Sequence, residues 1–320
     1  MELSCGNRNK LGRFCQVCMR LGDFETALLS GIKAPSQRSS SIFPEIAQLW
    51  HGGMIVARKD DDMALVVVQG LTKVFGHRLH PVRALNGLTF MVEKGEFVGI
   101  MGPSGAGKTT LLSIISTIDT PTNGTVRVAD TDVTRLRGGR LAQFRREQLG
   151  FVFQDFNLLP GLTVRENILM PLTINARRVS DAQERLTEVL TVTGLASLKD
   201  RYPRELSVGQ QQRVAVARAL ITKPALVCAD EPTGSLDSKA ATELLRYLTD
   251  INRAWHTTIM MATHDAFTAS YCSRVIFIKD GSLFAEIRRS GERQAFFDAI
   301  IDMQATIGGG GHWHEFSHPD

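Results

Sequence analysis

The chain has 320 residues, 43% of them hydrophobic and 22% charged, with a formal net charge of +4 at pH 7. This is an ordinary globular composition, able to bury a sizeable core, and its mild, interspersed charge leaves nucleic acid without support as a partner. No apolar stretch approaches the roughly 20 residues needed to span a bilayer, so the chain is expected to be soluble or peripheral, and five cysteines without a paired framework point to a reducing compartment.

Residues 1–62 show no sustained hydrophobic period, and the run from Lys33 to Ser41 has linker composition, so disorder is expected there. No apolar h-region follows the basic residues, so no signal peptide is expected in this stretch. Cys15 and Cys18, even with Cys5 and His51, match no zinc spacing and read as exposed thiols. If the gene is bacterial, Lys59-Asp60 can be encoded AAGGA within AAR-GAY, a ribosome-binding sequence a few codons before Met63. On that reading the extension is not translated.

From Leu65 the pattern becomes orderly. Leu65 to Val68 and Leu88 to Val92 read as strands, punctuated by Asn86-Gly87 and Lys94-Gly95, and suggest an antiparallel subdomain. Phe75 lies where a ring could stack on adenine; an ordinary core phenylalanine is the alternative. Phe97 to Met101 is a short apolar run, the mark of a buried parallel strand.

Gly102-Pro103-Ser104-Gly105-Ala106-Gly107-Lys108-Thr109-Thr110 follows, and it fits the pattern G-x-x-x-x-G-K-[ST] without a mismatch. Its glycines let successive backbone N–H groups curl around phosphate oxygens, and Leu111, Leu112, Ile114, Ile115 and Ile118 continue at helical spacing. Lys108 then reaches the β and γ phosphates of a triphosphate, and Thr109 ligates Mg²⁺. Strand, glycine turn and helix together make a chance match improbable.

Thr125 to Val128 and Phe151 to Phe153 read as further strands, and Gln154 follows the second. A neutral amide there can touch Mg²⁺ or an attacking water without adding charge. Between Asp155 and Glu205 the period turns helical, with a stripe of Leu186, Val189 and Leu190 and a stop at Gly194, which predicts an inserted helical lobe. Ser207 and Gln210 are spaced as a capping box at the head of a helix that Pro224 closes, and this helix start is a second anion site.

The apolar run Ala225 to Ala229 ends in Asp230-Glu231, placing two carboxylates at the carboxyl edge of a buried strand, Asp230 suited to Mg²⁺ and Glu231 to a water. Ala241, Leu244, Leu245 and Leu248 then line a helix behind a polar turn holding Asp237. Thr258 to Ala262 is another buried strand, with His264 just past its end. A histidine there can donate to a γ phosphate. Asp280-Gly281 marks a hairpin, and a last helix carrying Phe296, Phe297, Ile300 and Ile301 precedes a Gly/His tail, residues 308–320, expected to be flexible.

Taken together these stretches closely resemble the ATP-binding cassette (ABC) family of transporter ATPases, over about Leu65 to Ile307. The discriminating feature is Leu206-Ser207-Val208-Gly209-Gln210 between the phosphate loop and the acidic strand, which looks like that family's signature motif. The resemblance implies an α/β P-loop NTPase fold, residues 63–307, with an ABC-type antiparallel β subdomain and an inserted α-helical subdomain at about 155–222. It implies that ATP and Mg²⁺ are bound, with Phe75 stacking on adenine, Gln154 as the Q-loop residue, Asp230 and Glu231 as the Walker B pair, Asp237 as the D-loop acid and His264 as the switch histidine. Catalysis would fall to Glu231, His264, Gln154 and Lys108. Ser207, Gly209 and Gln210 would close on the ATP of a second subunit, in a homodimer or with a similar chain. Val208 departs from the usual glycine, and a β-branched residue stiffens the backbone there.

A cassette of this kind works at the cytoplasmic face of the cell membrane beside an integral membrane permease. Gly150 to Pro160, Thr258 to Asp265 and Ala269 to Val275 look narrower still, like the bacitracin-export subgroup, relatives of lipoprotein-release and macrolide-export ATPases. That likeness implies antimicrobial-peptide export or resistance, with a sensor kinase nearby. The competing classes are a relative acting on DNA or ribosomes, for which no coiled-coil insertion, zinc module or tandem cassette is visible, and a division-type regulator that moves no solute.

Overall fold

The computed structural model describes residues 64–76, 80–174 and 179–308. The expectations for residues 1–62, among them those for Cys5, Cys15, Cys18 and His51, and for the Gly/His tail from residue 309 onward lie outside the described residues.

Strands β1 (Ala64–Phe75) and β2 (Val82–Glu93) pair antiparallel, Val66 opposite Val92 and Val68 opposite Phe90. The break expected at Asn86-Gly87 is instead a bulge inside β2: Leu88 faces Leu71 and Leu85 faces Lys73, and Gly87, at φ 70°, donates its N–H to the Thr72 hydroxyl at 3.2 Å. The chain then enters β3 (Phe97–Met101), five buried residues in a row, and helix α1 (Lys108–Ile115) before returning as β4 (Asn123–Val128) and β5 (Thr131–Asp132). Ile118 falls beyond the helix and is 50% exposed. The first sheet has the order β2-β1-β4-β5.

Helix α2 (Gly138–Gln148), whose sequence has little apolar period, buries only Phe144 and leads into β6 (Leu149–Val152), which stops one residue short of Phe153. The helical lobe begins at Val164 with α3 (Val164–Ile174) and not at Asp155. Asn167 explains the delay: fully buried, its side chain donates to the carbonyls of Leu159, Leu162 and Thr163 and accepts from the Leu159 N–H at 2.8 Å, holding the preceding residues as a loop. Helix α4 (Val179–Val192) ends at Gly194, in the left-handed region at φ 64°.

Helix α5 (Val208–Leu220) joins lobe to sheet because its helical repeat gives it two buried faces. Val214, Ala217 and the adjoining Ile221 pack into the lobe with Leu186, Val189 and Leu190, while Val216, Ala219 and Leu220 pack under the sheet. Strand β7 (Leu226–Asp230) then leads to α6 (Ser238–Trp255), whose buried Ala241, Leu244, Leu245, Leu248 and Ile251 form one stripe. Strand β8 (Thr258–Ala262), the short helix α7 (Ala266–Ala269), the hairpin β9 (Arg274–Lys279) and β10 (Ser282–Arg288), and helix α8 (Arg293–Ile307) complete the chain. Asp280 and Gly281 both have positive φ, the two-residue turn expected of Asp-Gly.

The second sheet has the order β10-β9-β3-β8-β7-β6, parallel throughout except for β10. One core lies between the two sheets, where Leu111, Leu112, Ile114 and Ile115 of α1 meet Val66, Leu71 and Phe90 on one side and Ile100, Cys228 and Met260 on the other. A second core lies beneath the parallel sheet against α5, α6 and α8. Both described cysteines, Cys228 and Cys272, are buried and free, and burial pushes the Cys228 thiol up to about 12, so these thiols are packing groups. Among the described residues no helix is long and apolar enough to cross a membrane.

Candidate functional site

Sheet order assembles the site. In sequence the strands come as β3, β6, β7, β8, but in space they lie β3-β8-β7-β6, so four neighbouring carboxyl ends carry the phosphate loop, His264, Asp230-Glu231 and Gln154 side by side. Ligands of parallel sheets bind at that edge.

The loop after β3 turns on glycines that no other residue could replace at the same geometry. Gly107 stands at φ 101° directly before α1, and a Cβ there would collide with the Ala84 carbonyl; Gly102 is hemmed in likewise by the Ile278 carbonyl. The amino end of α1 therefore opens on the loop, with its unpaired N–H groups and positive dipole end directed at an anion site. Lys108 is only 9% exposed and donates to the carbonyls of Gly102 (2.8 Å) and Pro103 (3.1 Å). Burial lowers its pKa, while the carboxylates of Glu231 and Asp230 oppose that change. The ammonium is thus held among backbone carbonyls at the mouth of the loop.

Thr109 donates its hydroxyl to Asp230 Oδ1 at 3.2 Å. Burial pushes the Asp230 carboxyl above the usual carboxylate range; the Thr109 bond opposes this, Glu231 adds to it and Lys108 opposes it. A partly desolvated carboxylate beside a hydroxyl is a hard-oxygen donor pair, which suits Mg²⁺. Among the described residues no three His, Cys, Asp or Glu side chains cluster as a metal cage.

The raised pKa carries a test. A carboxyl whose folded pKa lies above its unfolded value of about 3.9 destabilises the fold at neutral pH, and the cost fades as pH falls through the folded pKa. Asp230→Asn is therefore expected to raise the melting temperature of nucleotide-free protein at pH 7 and to raise it by less at a mildly acid pH. Thermal melts of both proteins at the two pH values check this; a pH-independent gap would contradict it.

Glu231 has φ 46°, outside the usual region for a side-chain-bearing residue, and is pinned there by its N–H to Ala262 O and by Gly234 N–H to its own carbonyl, both 3.0 Å. Its Oε1 lies 2.9 Å from His264 Nδ1. An ionised carboxylate only accepts, so Nδ1 carries the proton. With that proton engaged by Glu231, the ring must release the carboxylate and reorient before Nδ1 can donate to another acceptor. His264 is 67% exposed and Glu231 only 16%, so the histidine is the member free to move.

Gln154 is exposed beyond β6, its Nε2 directed toward Gly234 on the loop after Glu231. Two residues that sequence reasoning missed hold its loop. Arg218, 9% exposed, donates to the carbonyls of Phe156 (2.8 Å) and Asn157 (2.5 Å), both at positive φ, and Gln212 donates to Phe153 O at 3.2 Å. The available signal was a charged residue interrupting the apolar run Ala215 to Leu220.

Phe75 is not a core residue. It is 43% exposed, with Lys73 Nζ 4.7 Å from the ring centre and itself anchored by Asp119 Oδ1 and Thr120 O at 2.7 Å each. The ring is thus propped up from one side and open for stacking. Phe75→Ala is expected to raise KM for ATP about 5-fold or more with little change in kcat, as steady-state assays would show.

Ser207 and Gln210 form the anticipated capping box, Ser207 N–H to Gln210 Oε1 at 2.9 Å and Gln210 N–H to Ser207 Oγ at 3.3 Å. Among the described residues the polar partners of Ser207 all belong to its own helix, and Val208 is 45% exposed. Gly209 is needed for close packing, since a Cβ would stand 2.8 Å from that of Ala240. Asp237 caps α6 through the Ala240 N–H at 2.8 Å. Lys108, Thr109, Asp230, Glu231 and His264 are therefore linked into one site by direct contact or charge, whereas Ser207, Gly209, Gln210 and Asp237 make their polar and packing contacts around the start of α5 and the cap of α6.

The family described as ABC transporter matches residues 85–234. A bacitracin export ATP-binding protein of Halalkalibacterium halodurans is 48% identical over 248 residues, spanning 77% of this chain and 98% of that protein. A lipoprotein-releasing system ATP-binding protein of Geobacter metallireducens is 44% identical over 223 residues, or 70% and 99% of the two chains. Among solved structures, an ATP-binding cassette in a dimeric post-hydrolysis state bound to ADP and Pi is 38% identical with a TM-score of 0.65, over 71% of this chain and all (100%) of that one.

Proposed function

The chain belongs to the ABC transporter family and is an ATP-binding, ATP-hydrolysing subunit, and we propose that it powers a separate membrane permease in antimicrobial-peptide export or resistance of the bacitracin kind. What supports the substrate class is the 48% identity that spans 98% of a bacitracin export ATP-binding protein. Lipoprotein release is the second reading, favoured by a relative 44% identical.

The observation that carries the mechanism is the Glu231 to His264 contact, 2.9 Å, at the edge where the phosphate loop ends. Lys108 holds the β and γ phosphates on the N–H groups of the loop and α1. Glu231 accepts a hydrogen bond from the attacking water, polarising it toward the γ phosphate, while Gln154 and His264 fix its position. Thr109, Asp230 and Gln154 would hold Mg²⁺, which when bound offsets charge on the phosphates. Phe75 orients the base.

Ser207 is exposed and Gly209 and Gln210 are half-buried at the start of a helix, whose positive dipole end suits docking on the nucleotide of a second copy. The working unit is on this reading a homodimer, peripheral at the cytoplasmic face of the membrane, bound to its permease near the Gln154 loop and helical lobe, with a sensor kinase as a further partner. Residues 1–62 lie outside the cassette, residues 63–307.

Co-purification from membranes followed by ATPase assay tests the assembly. A permease subunit is expected to co-elute and to carry peptide-dependent stimulation, and deleting the gene is expected to sensitise cells to bacitracin-type peptides. Wild-type sensitivity with impaired lipoprotein release would favour the second reading.

A further inference from the structure

His264 reaches Glu231 with an otherwise exposed ring, so its backbone must fix where that ring can go. Inside the sheet Thr263 N–H donates to Ile100 O at 3.0 Å, and inside its own turn Asp265 N–H donates to Thr263 Oγ1 at 3.1 Å. The third anchor comes from the far end of the chain: Gln304, on α8, donates Nε2–H to the backbone carbonyl of His264 at 2.8 Å.

Helix α8 is itself firmly seated. Phe296, Ile300 and Ile307 are buried in the core beneath the parallel sheet, and Lys279 donates to the Ile307 carbonyl at 2.9 Å. At its other end Arg293 stacks over Tyr271, 4.6 Å to the ring centre, and bonds Ser270 Oγ at 3.2 Å, tying α8 to the segment that follows His264. That segment is also joined to the loop after Glu231. Thr268 gives its hydroxyl proton to Asp265 Oδ2 (2.6 Å), so in the buried Thr233 to Thr268 contact (3.0 Å) Thr233 is the donor. A one-way chain Thr233, Thr268, Asp265 thus couples the two strand ends, and Gln304 closes it from outside.

We propose that Gln304 is a positioning residue for hydrolysis: through the His264 carbonyl, helix α8 sets the reach of the imidazole to Glu231 and phosphate, so that the seating of α8 governs turnover without governing ATP binding. This rests on the role assigned above to His264. The side chain of Gln304 acts as a donor, and its chemistry can be altered without changing its size.

Gln304→Glu keeps the shape but sets an acceptor against a carbonyl, whereas Gln304→Lys keeps a donor of similar reach. In the full-length chain Gln304→Glu is expected to lower kcat about 5-fold or more with KM for ATP within about twofold and an unchanged melting temperature, and Gln304→Lys to recover at least about half of wild-type kcat. Unchanged kcat in Gln304→Glu, an equal loss in Gln304→Lys, or a loss that merely follows the folded fraction would overturn the proposal. His264→Ala in the same assay separates the layers. If it is inactive while Gln304→Glu is normal, only the positioning role fails; if it is fully active, or if the wild type does not hydrolyse ATP, the reading beneath fails too.

Discussion

Replacing Glu231 by Gln is expected to leave Mg-ATP bound and to slow its hydrolysis by about 100-fold or more. The amide keeps the size of the side chain and an oxygen that can still accept from His264 Nδ1, so the 2.9 Å contact and the φ 46° backbone of residue 231 need not change. What disappears is the basic oxygen that polarises water. Lys108 and the loop N–H groups, which bind the phosphates, are untouched. Equilibrium binding and single-turnover hydrolysis measured on the same preparation would separate the two effects, and undiminished hydrolysis would remove Glu231 from the role of general base.

Replacing Lys108 by Ala strikes the other half of the site. Its ammonium is buried, held by the Gly102 and Pro103 carbonyls, and its charge is favoured by the nearby carboxylates of Glu231 and Asp230. Without it those two acids face an incoming polyphosphate uncompensated. Losing one partner of a desolvated charge pair costs about 2–5 kcal/mol, so ATP affinity is expected to fall about 30-fold or more. The fold should persist, because burial already disfavours the charged form of this lysine in the folded chain. Calorimetric titration with ATP, beside a thermal melt, checks both halves; wild-type affinity in Lys108→Ala would overturn the assignment.

The two variants fail at different steps, and the reason is spatial. Glu231 acts at the outer end of β7, whereas Lys108 lies inside the loop that crosses from β3 to α1. A protein that lost both properties together in Glu231→Gln would point to a collapsed loop, which the melting curve would reveal.

Much of this site was legible in the residues because its parts are local. Glycines at 102, 105 and 107 followed by Lys108 and Thr109 dictate a turn that cups phosphate whatever surrounds it, and Ser207 with Gln210 is a self-contained cap. Buried runs ending in Asp230-Glu231 and before His264 announced strand edges, since short, nearly continuous apolar runs suit strands covered on both faces of a parallel sheet. The antiparallel subdomain and the inserted lobe were likewise visible as changes of hydrophobic period. Asn86-Gly87 misled because the same dipeptide serves a hairpin turn or a bulge, and pairing with Leu71 and Lys73 decided between them. Asp155 to Thr163 was read as part of the helical stretch because nothing local shows that Asn167 will take up its carbonyls.

Local pattern by itself thus determined the elements, the phosphate loop and the chemical type of each candidate group. Tertiary structure alone decided their neighbours: the order β3-β8-β7-β6, which is not the order of the chain, brings Glu231 within 2.9 Å of a histidine 33 residues away and lets Gln304 grip that histidine's carbonyl from 40 residues further on. Such contacts depend on which strands pair and which helix faces are buried. Those are properties of the whole packed core, set by the mutual exclusion of water from α1, α5, α6 and α8, and no window of adjacent residues contains them.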